Sequence, residues 1–407
     1  MARRALILLE GASNVRLYIQ AAQRLDLHAV TLSANPAQYD YLAVENIETI
    51  HVDTNNLDAL IRECSRMRAT YDIAGITSAQ ESVYAAVGKL CRYFDLPGPN
   101  PAAIELCCDK SVQRQLLAEA GVPVPAYRVA ASATDVEGAV AEIGLPVIVK
   151  PAVGIGSKGV RLCRNIDELA VHTNYLLGGN NVWRSSPRML VEEFAQGPQY
   201  MVETMGNEVV GIGTADFGPL PHFASREWTY PASLTDDEQG RIANVSLSCL
   251  RALDLGWGPT NIELRWTERG PVVIEVNPRL AGAPTSQLVQ LAYGVDLVTE
   301  HIKLVIGDEW NVRKKQSQTA IARFLLPDCD GTLDWIDGDS RAAAISGVAE
   351  VKFYVEPKTP IVTEGDARVT IGHVIAASPS LARTEAILQR AVDSIDWSIT
   401  PFPTLCA

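Results

Sequence analysis

The segment TNIELRWTERGPVVIEVNPRLAGAP, residues 260 to 284, sets Glu263, Glu275, Asn277 and Arg279 on two strand-like runs joined by the turn Thr-Glu-Arg-Gly. Side chains alternate along a strand, so Glu275 and Asn277 share a face, and Glu263 falls opposite them across the hairpin. Two carboxylates and an amide oxygen are hard donors, which Mg²⁺ accepts together with water and phosphate. In isolation the plainer reading is two glutamates on the solvent face of a hairpin.

Upstream, LPVIVKPAVGIGSKGVRL places a short apolar strand before Lys150, followed by Gly154, Gly156, Ser157 and Gly159. Glycines let backbone N–H groups approach phosphate oxygens closely, and the lysine adds a compact cation. The run matches neither the P-loop nor the dinucleotide fingerprint. Between these two segments, MLVEEFAQGPQYMVET carries an apolar strand into Glu192, Glu193, Phe194 and Ala195, then a Gly-Pro turn and Gln199. A linker of that kind offers a carbonyl and an N–H to an adenine edge, with Phe194 against its face.

Together and in this order, the pieces resemble the ATP-grasp superfamily from about residue 99 to about residue 307. The resemblance implies that Lys110, in CCDKSVQRQLLAEAGVPVPAY, and Lys150 contact phosphates. It implies that residues 154 to 159 form the closing loop and that Glu192 to Ala195 form the adenine linker. It makes Glu263, Glu275 and Asn277 the metal ligands and Arg279 the group that steadies a carboxylate or acyl phosphate. Gln199 departs from the glutamate usual for ribose, which implies a weaker or rearranged ribose contact. A looser likeness, through SREWTYPASL with Arg226 and Tyr230 and through the carboxy-terminal segment, is to L-amino-acid ligases. The implied activity is formation of a dipeptide or amino-acid amide, γ-glutamyl amides included, through an acyl phosphate, with ATP and Mg²⁺ (two ions, Mn²⁺ as an alternative). An enzyme activating formate or bicarbonate and a non-catalytic nucleotide sensor are the other readings.

Positioning these residues takes an α/β chain: an amino-terminal doubly wound parallel sheet over 1–98, an ATP-grasp domain of two lobes over 99–312, and a ligase-type α+β domain over 313–407. Short apolar runs at 5–9, 29–32, 49–52 and 73–76 read as parallel strands, with amphipathic helices near 15–25, 57–67 and 83–94 as crossovers. Ligands gather at the carboxyl ends of such strands, which makes Ser78 and Glu81 substrate candidates. A capping box in SAQE explains the same two residues more simply. Residues 285 to 306 read as one long amphipathic helix, and RKKQSQ as a linker.

The chain has 407 residues, 47% hydrophobic and 20% charged, with a formal charge of −13. Excess negative charge repels nucleic-acid backbones and anionic lipids, so the expected partners are small molecules, an amino acid or other carboxylate and an amine. No apolar run reaches membrane-spanning length and the start reads as a strand, so a cytoplasmic protein is expected; homodimer formation stays open. Eight cysteines without C-x-x-C spacing read as reduced thiols.

Overall fold

The computed structural model describes residues 2–12, 14–154, 156, 158–178, 188–218, 220–221, 223–362 and 370–402. Strand Arg3–Leu9 lies between His28–Ser33 and Tyr71–Thr77, with Glu48–His51 beyond His28–Ser33, and every pairing is parallel. Alternate residues of Arg3–Leu9 enter different cores. Ala5, Ile7 and Leu9 pack with Leu60, Val83 and Val87, while Leu6 and Leu8 pack with Val15, Ile19 and Ile302. Burial on both faces explains why this strand is apolar from Ala5 to Leu9. The expected crossover helices appear as Val15–Arg24, Leu57–Met67 and Glu81–Phe94.

Two antiparallel sheets form the next layer. The smaller runs Tyr127–Ala130, Met189–Glu193, Val147–Pro151, Arg161–Cys163, covered by helices Ala133–Ile143 and Ile166–Gly178. The larger has eight strands in the order Gly270–Asn277, Pro259–Thr267, Gln199–Met205, Glu208–Phe217, Ser225–Tyr230, Thr319–Leu325, Gly372–Ser378, Val348–Phe353. Its hydrogen bonds continue from Ser225–Tyr230 to Thr319–Leu325, so one sheet runs through the 312/313 position. A third sheet, Pro360–Ile361, Gly331–Asp337 and Asp396–Pro401, closes the carboxy-terminal part.

Two local expectations are corrected. Residues 285 to 306 form two helices, Thr285–Tyr293 and Leu297–Val305. Gly294 ends the first in the left-handed conformation at φ 70°, and the Asp296 side chain caps the second by accepting from the Thr299 N–H at 3.1 Å. Both helices face the same apolar core, which is why the periodicity carried across the break. SAQE is not a capping box either. Gln80 is the N-cap without a side-chain hydrogen bond, and Ser78 Oγ donates to the Leu9 carbonyl at 2.7 Å while accepting from the Gln80 N–H at 2.9 Å.

His301 ties the amino-terminal layer to helix Leu297–Val305. Its Nδ1 meets the Tyr18 hydroxyl at 2.5 Å and its Nε2 the Tyr84 hydroxyl at 3.3 Å. Burial lowers its pKa to about 3, so a neutral ring is what these hydroxyls hold. Among the described residues no helix is long and apolar enough to cross a membrane.

Candidate active site

Between the two antiparallel sheets lies a cleft enclosing about 580 Å³, part of it open to solvent. Ile148, Phe194, Phe217, Phe223 and Ile274 make its apolar wall, and Lys150, Gln199, Glu263 and Glu275 its polar end. That combination suits a flat base against the wall and phosphates at the charged end.

The hairpin sets the polar end. Glu263 pairs in register with Glu275, and Asn261 with Asn277, so all four side chains lie on one face as alternation requires. Burial and the facing Glu275 raise the Glu263 pKa to about 7. Burial also works against the Glu275 charge, but Lys110 and Lys150 outweigh it and hold that carboxyl below its usual range. The facing pair thus favours a proton on Glu263, where a cation would serve better. Among the described residues no cluster of three or more His, Cys, Asp and Glu would hold a metal. The donor set is two carboxylates and the Asn277 amide, which fits Mg²⁺ with phosphate and water completing its shell.

Lys110 begins helix Lys110–Glu119, whose cap is Asp109. Its Nζ lies 3.0 Å from Glu275 Oε1 and donates to the Gly154 carbonyl at 2.5 Å. Burial opposes its charge, yet Glu275, Glu81 and Glu263 hold its pKa above the usual value. Gly156 and Gly159 adopt φ 67° and 70°, conformations that favour glycine. Ser157 lies outside the described residues.

Lys150 stands next to last on the strand Val147–Pro151 and is almost wholly buried, its Nζ 2.5 Å from Glu192 Oε2. Arg114 Nε donates to Glu192 Oε1 at 2.7 Å and also reaches the carbonyls of Val273 and Ile274, so one guanidinium clamps both sheets. Burial lowers the Lys150 pKa; for Glu192 burial pushes upward, but Arg114 and Lys150 prevail and the carboxyl stays below its usual value. The Glu192 carboxylate is therefore committed to Lys150 and Arg114. Glu193 pairs with Arg269 at 2.8 Å. Arg265 stacks 5.4 Å from the Phe194 ring centroid and donates to Gln199 Oε1 at 3.2 Å and, at 3.5 Å, to the Ala195 carbonyl. Gln199 Nε2 in turn donates to Glu263 Oε2 at 2.9 Å.

Arg279 Nε lies 3.2 Å from Glu81 Oε2, which brings the carboxyl end of the amino-terminal sheet to the hairpin. The structure does not bring the other substrate candidates to the cleft wall. Ser78 serves the backbone turn described above. Tyr230 is fully buried with its hydroxyl 3.4 Å from Glu203, and Arg226 is exposed on Asp216.

Four residues escaped the sequence reading: Arg114, Glu203, Asn261 and Arg265. Each had a signal in spacing. Arg114 stands one helical turn after Lys110, Glu203 stands four residues after Gln199 on one strand face, and Asn261 and Arg265 flank Glu263 on its own face.

Residues 109–312 match the family described as carbamoyl-phosphate synthase L chain, ATP binding domain, and residues 323–400 match L-amino acid ligase C-terminal domain 2. The uncharacterized protein y4rH of Sinorhizobium fredii is 61% identical over 404 residues, covering 99% of this chain and 84% of that protein. Human carnosine synthase 1 is 29% identical over 338 residues, 74% of this chain but 39% of the synthase. The crystal structure of L-amino acid ligase from Bacillus licheniformis superposes with a TM-score of 0.81 at 18% identity, over 98% of this chain and 100% of that one. With the lysines, the acidic hairpin and the cleft on one surface, the chain belongs to the ATP-grasp superfamily, among its ATP-dependent carboxylate–amine ligases, and is similar to the L-amino-acid ligases.

Proposed function

We propose that the protein activates an amino-acid carboxylate at the expense of ATP and joins it to an amine, giving a dipeptide or amino-acid amide with release of ADP and phosphate. The observation that carries this reading is the convergence of Lys110, Lys150, Glu263, Glu275, Asn277 and Arg279 on one edge of the cleft. Lys110 and Lys150 hold the phosphates, and Arg265 and Phe194 border the space for the base. Glu263, Glu275 and Asn277 would hold one or two Mg²⁺ ions, whose chemistry would be withdrawal of charge from the phosphates.

Arg279 releases Glu81 and takes the substrate carboxylate with its planar fork. A carboxylate oxygen attacks the γ phosphorus as the bond to ADP breaks. The amine then attacks the acyl carbon, the carbon–oxygen bond to phosphate breaks, and the amine gives up a proton. Glu81, freed from Arg279, is placed to pair with the ammonium of an incoming amino acid. The loop at Gly154 to Gly159 excludes water that would hydrolyse the activated acyl group.

A phosphate-release screen over pairs of amino acids, with mass analysis of products, tests the reading. Amide products dependent on two amino acids are expected. Phosphate release that follows bicarbonate or formate and ignores amino acids overturns it, as does nucleotide binding with no ADP formed from any pair.

A further inference from the structure

We propose that Glu203 and Asn261 form a positioning relay that decides which end of the Asn277 amide faces the cation. This rests on the metal reading of Glu263, Glu275 and Asn277 given above. An asparagine amide carries oxygen at one end and NH₂ at the other, and only the oxygen ligates. Asn277 alone has no means of choosing between them.

The choice propagates from Glu203. Glu203 is 1% exposed on strand Gln199–Met205, in register with Asn261, which is in register with Asn277 two strands away. The Glu203 carboxylate accepts from Asn261 Nδ2 at 2.7 Å. That contact turns Asn261 Oδ1 the opposite way, where it accepts from Asn277 Nδ2 at 3.3 Å. Asn277 Oδ1 is thereby left on the side of Arg279, whose Nη2 reaches it at 3.3 Å. The remaining partners of Glu203, the Tyr230 hydroxyl at 3.4 Å and the Ala281 backbone N–H, are donors as well. Burial raises the Glu203 pKa to about 7, and above that value its carboxylate accepts from all three donors and sets the direction of the relay. The three main chains are held by sheet hydrogen bonds, leaving the side chains free to carry polarity alone.

Mn²⁺ titration in the presence of saturating ADP, with free Mn²⁺ read by electron paramagnetic resonance, tests the relay without turnover. Glu203→Gln should weaken Mn²⁺ binding about tenfold, as outer-shell substitutions do. The decisive case is the same substitution in an Asn277→Asp background. A carboxylate there presents oxygen at either end and needs the Asn261 NH₂, which turns the Asn261 oxygen toward position 203. Glu203 repels that oxygen and the glutamine NH₂ donates to it, so Glu203→Gln should leave Mn²⁺ affinity unchanged or tighten it. Weakening of the same size in both backgrounds would mean that Glu203 only packs, and overturns the relay. Should Glu203→Gln lose its far-ultraviolet dichroism, Asn261→Ala, which removes the middle of the relay, must show the tenfold weakening, and parent-like affinity in it overturns the proposal. Asn277→Ala that binds Mn²⁺ like the parent overturns the metal reading and the relay with it. A weakened Asn277→Ala beside an unaffected Glu203→Gln overturns the relay alone.

Discussion

Glu10 is a buried carboxylate at the end of a parallel strand and Glu263 a half-buried one in the cleft, and their surroundings differ in kind. Glu10, after the first parallel strand, accepts from Ser33 Oγ at 2.7 Å, the Ala34 N–H at 3.0 Å, the Tyr39 hydroxyl at 3.2 Å and Thr54 Oγ1 at 2.5 Å. Burial pushes its pKa upward, but these donors, Thr54 first, hold it below the usual carboxylate range. Glu263 has the Gln199 amide as a donor at 2.9 Å and faces Glu275 across the ladder, and its pKa rises to about 7. A carboxylate whose neighbours supply enough donors is complete and serves structure. One that is short of positive charge, beside an open cleft, is a place where a cation is wanted.

The comparison breaks most visibly through turnover. Glu275→Ala or Asn277→Ala should lower phosphate release by about a thousandfold, the scale of a lost metal contact, with the thermal melting curve preserved. Retained turnover in either variant would detach the acidic hairpin from the chemistry. Next in size is Arg114→Met, which removes one of the two cations paired with the buried Glu192. Loss of one member of such a cluster costs about 3–5 kcal/mol, readable in a urea titration, and a change near zero would mean that the clamp across the sheets is dispensable.

Glu10→Gln should behave in the opposite sense to the hairpin variants. A glutamine amide turns NH₂ toward groups that are themselves donors, so a stability loss of about 1–3 kcal/mol is expected with kcat and KM for ATP unchanged; lost turnover would erase the distinction. The pH dependence sharpens it. The Glu10 pKa in the fold lies below its ordinary value of 4.5. Its contribution is therefore fully present above that value and is lost as pH falls through the folded pKa. The stability gap between parent and Glu10→Gln should be constant at neutral pH and narrow in acid. A gap that widens on acidification would reverse the assigned sign. Smallest is Gln199→Glu, which replaces a donor to Glu263 with a third carboxylate. About a fivefold rise in the Mg²⁺ needed for half-maximal phosphate release is expected, and a lower requirement would show that ribose contact dominates at this position.

Legibility from sequence followed the range of the interaction. The hairpin was readable because Glu263, Glu275 and Asn277 obey a two-residue period within one short segment, and the observed register is the one that period demands. The central parallel strand was readable because double burial makes Ala5 to Leu9 continuously apolar. The helix over 285 to 306 was misread because apolar spacing reports the buried face and is silent about a Gly-Val-Asp break that keeps the same face. Glu192 read as part of a nucleotide linker because its neighbours are Glu193 and Phe194. Its carboxylate partner Arg114 lies on a separate helix, beyond any local pattern.

Residue types and local periods, which depend only on backbone geometry, determined the strand faces and the chemical kind of the oxygen donors on the hairpin. Tertiary packing alone decided that Glu81 meets Arg279, that Arg114 and Lys150 share Glu192, and that Glu203 sits beside Asn261. Those contacts join strands and helices far apart in the chain, and a buried charge takes its partner and its pKa from whatever the folded sheets bring to it.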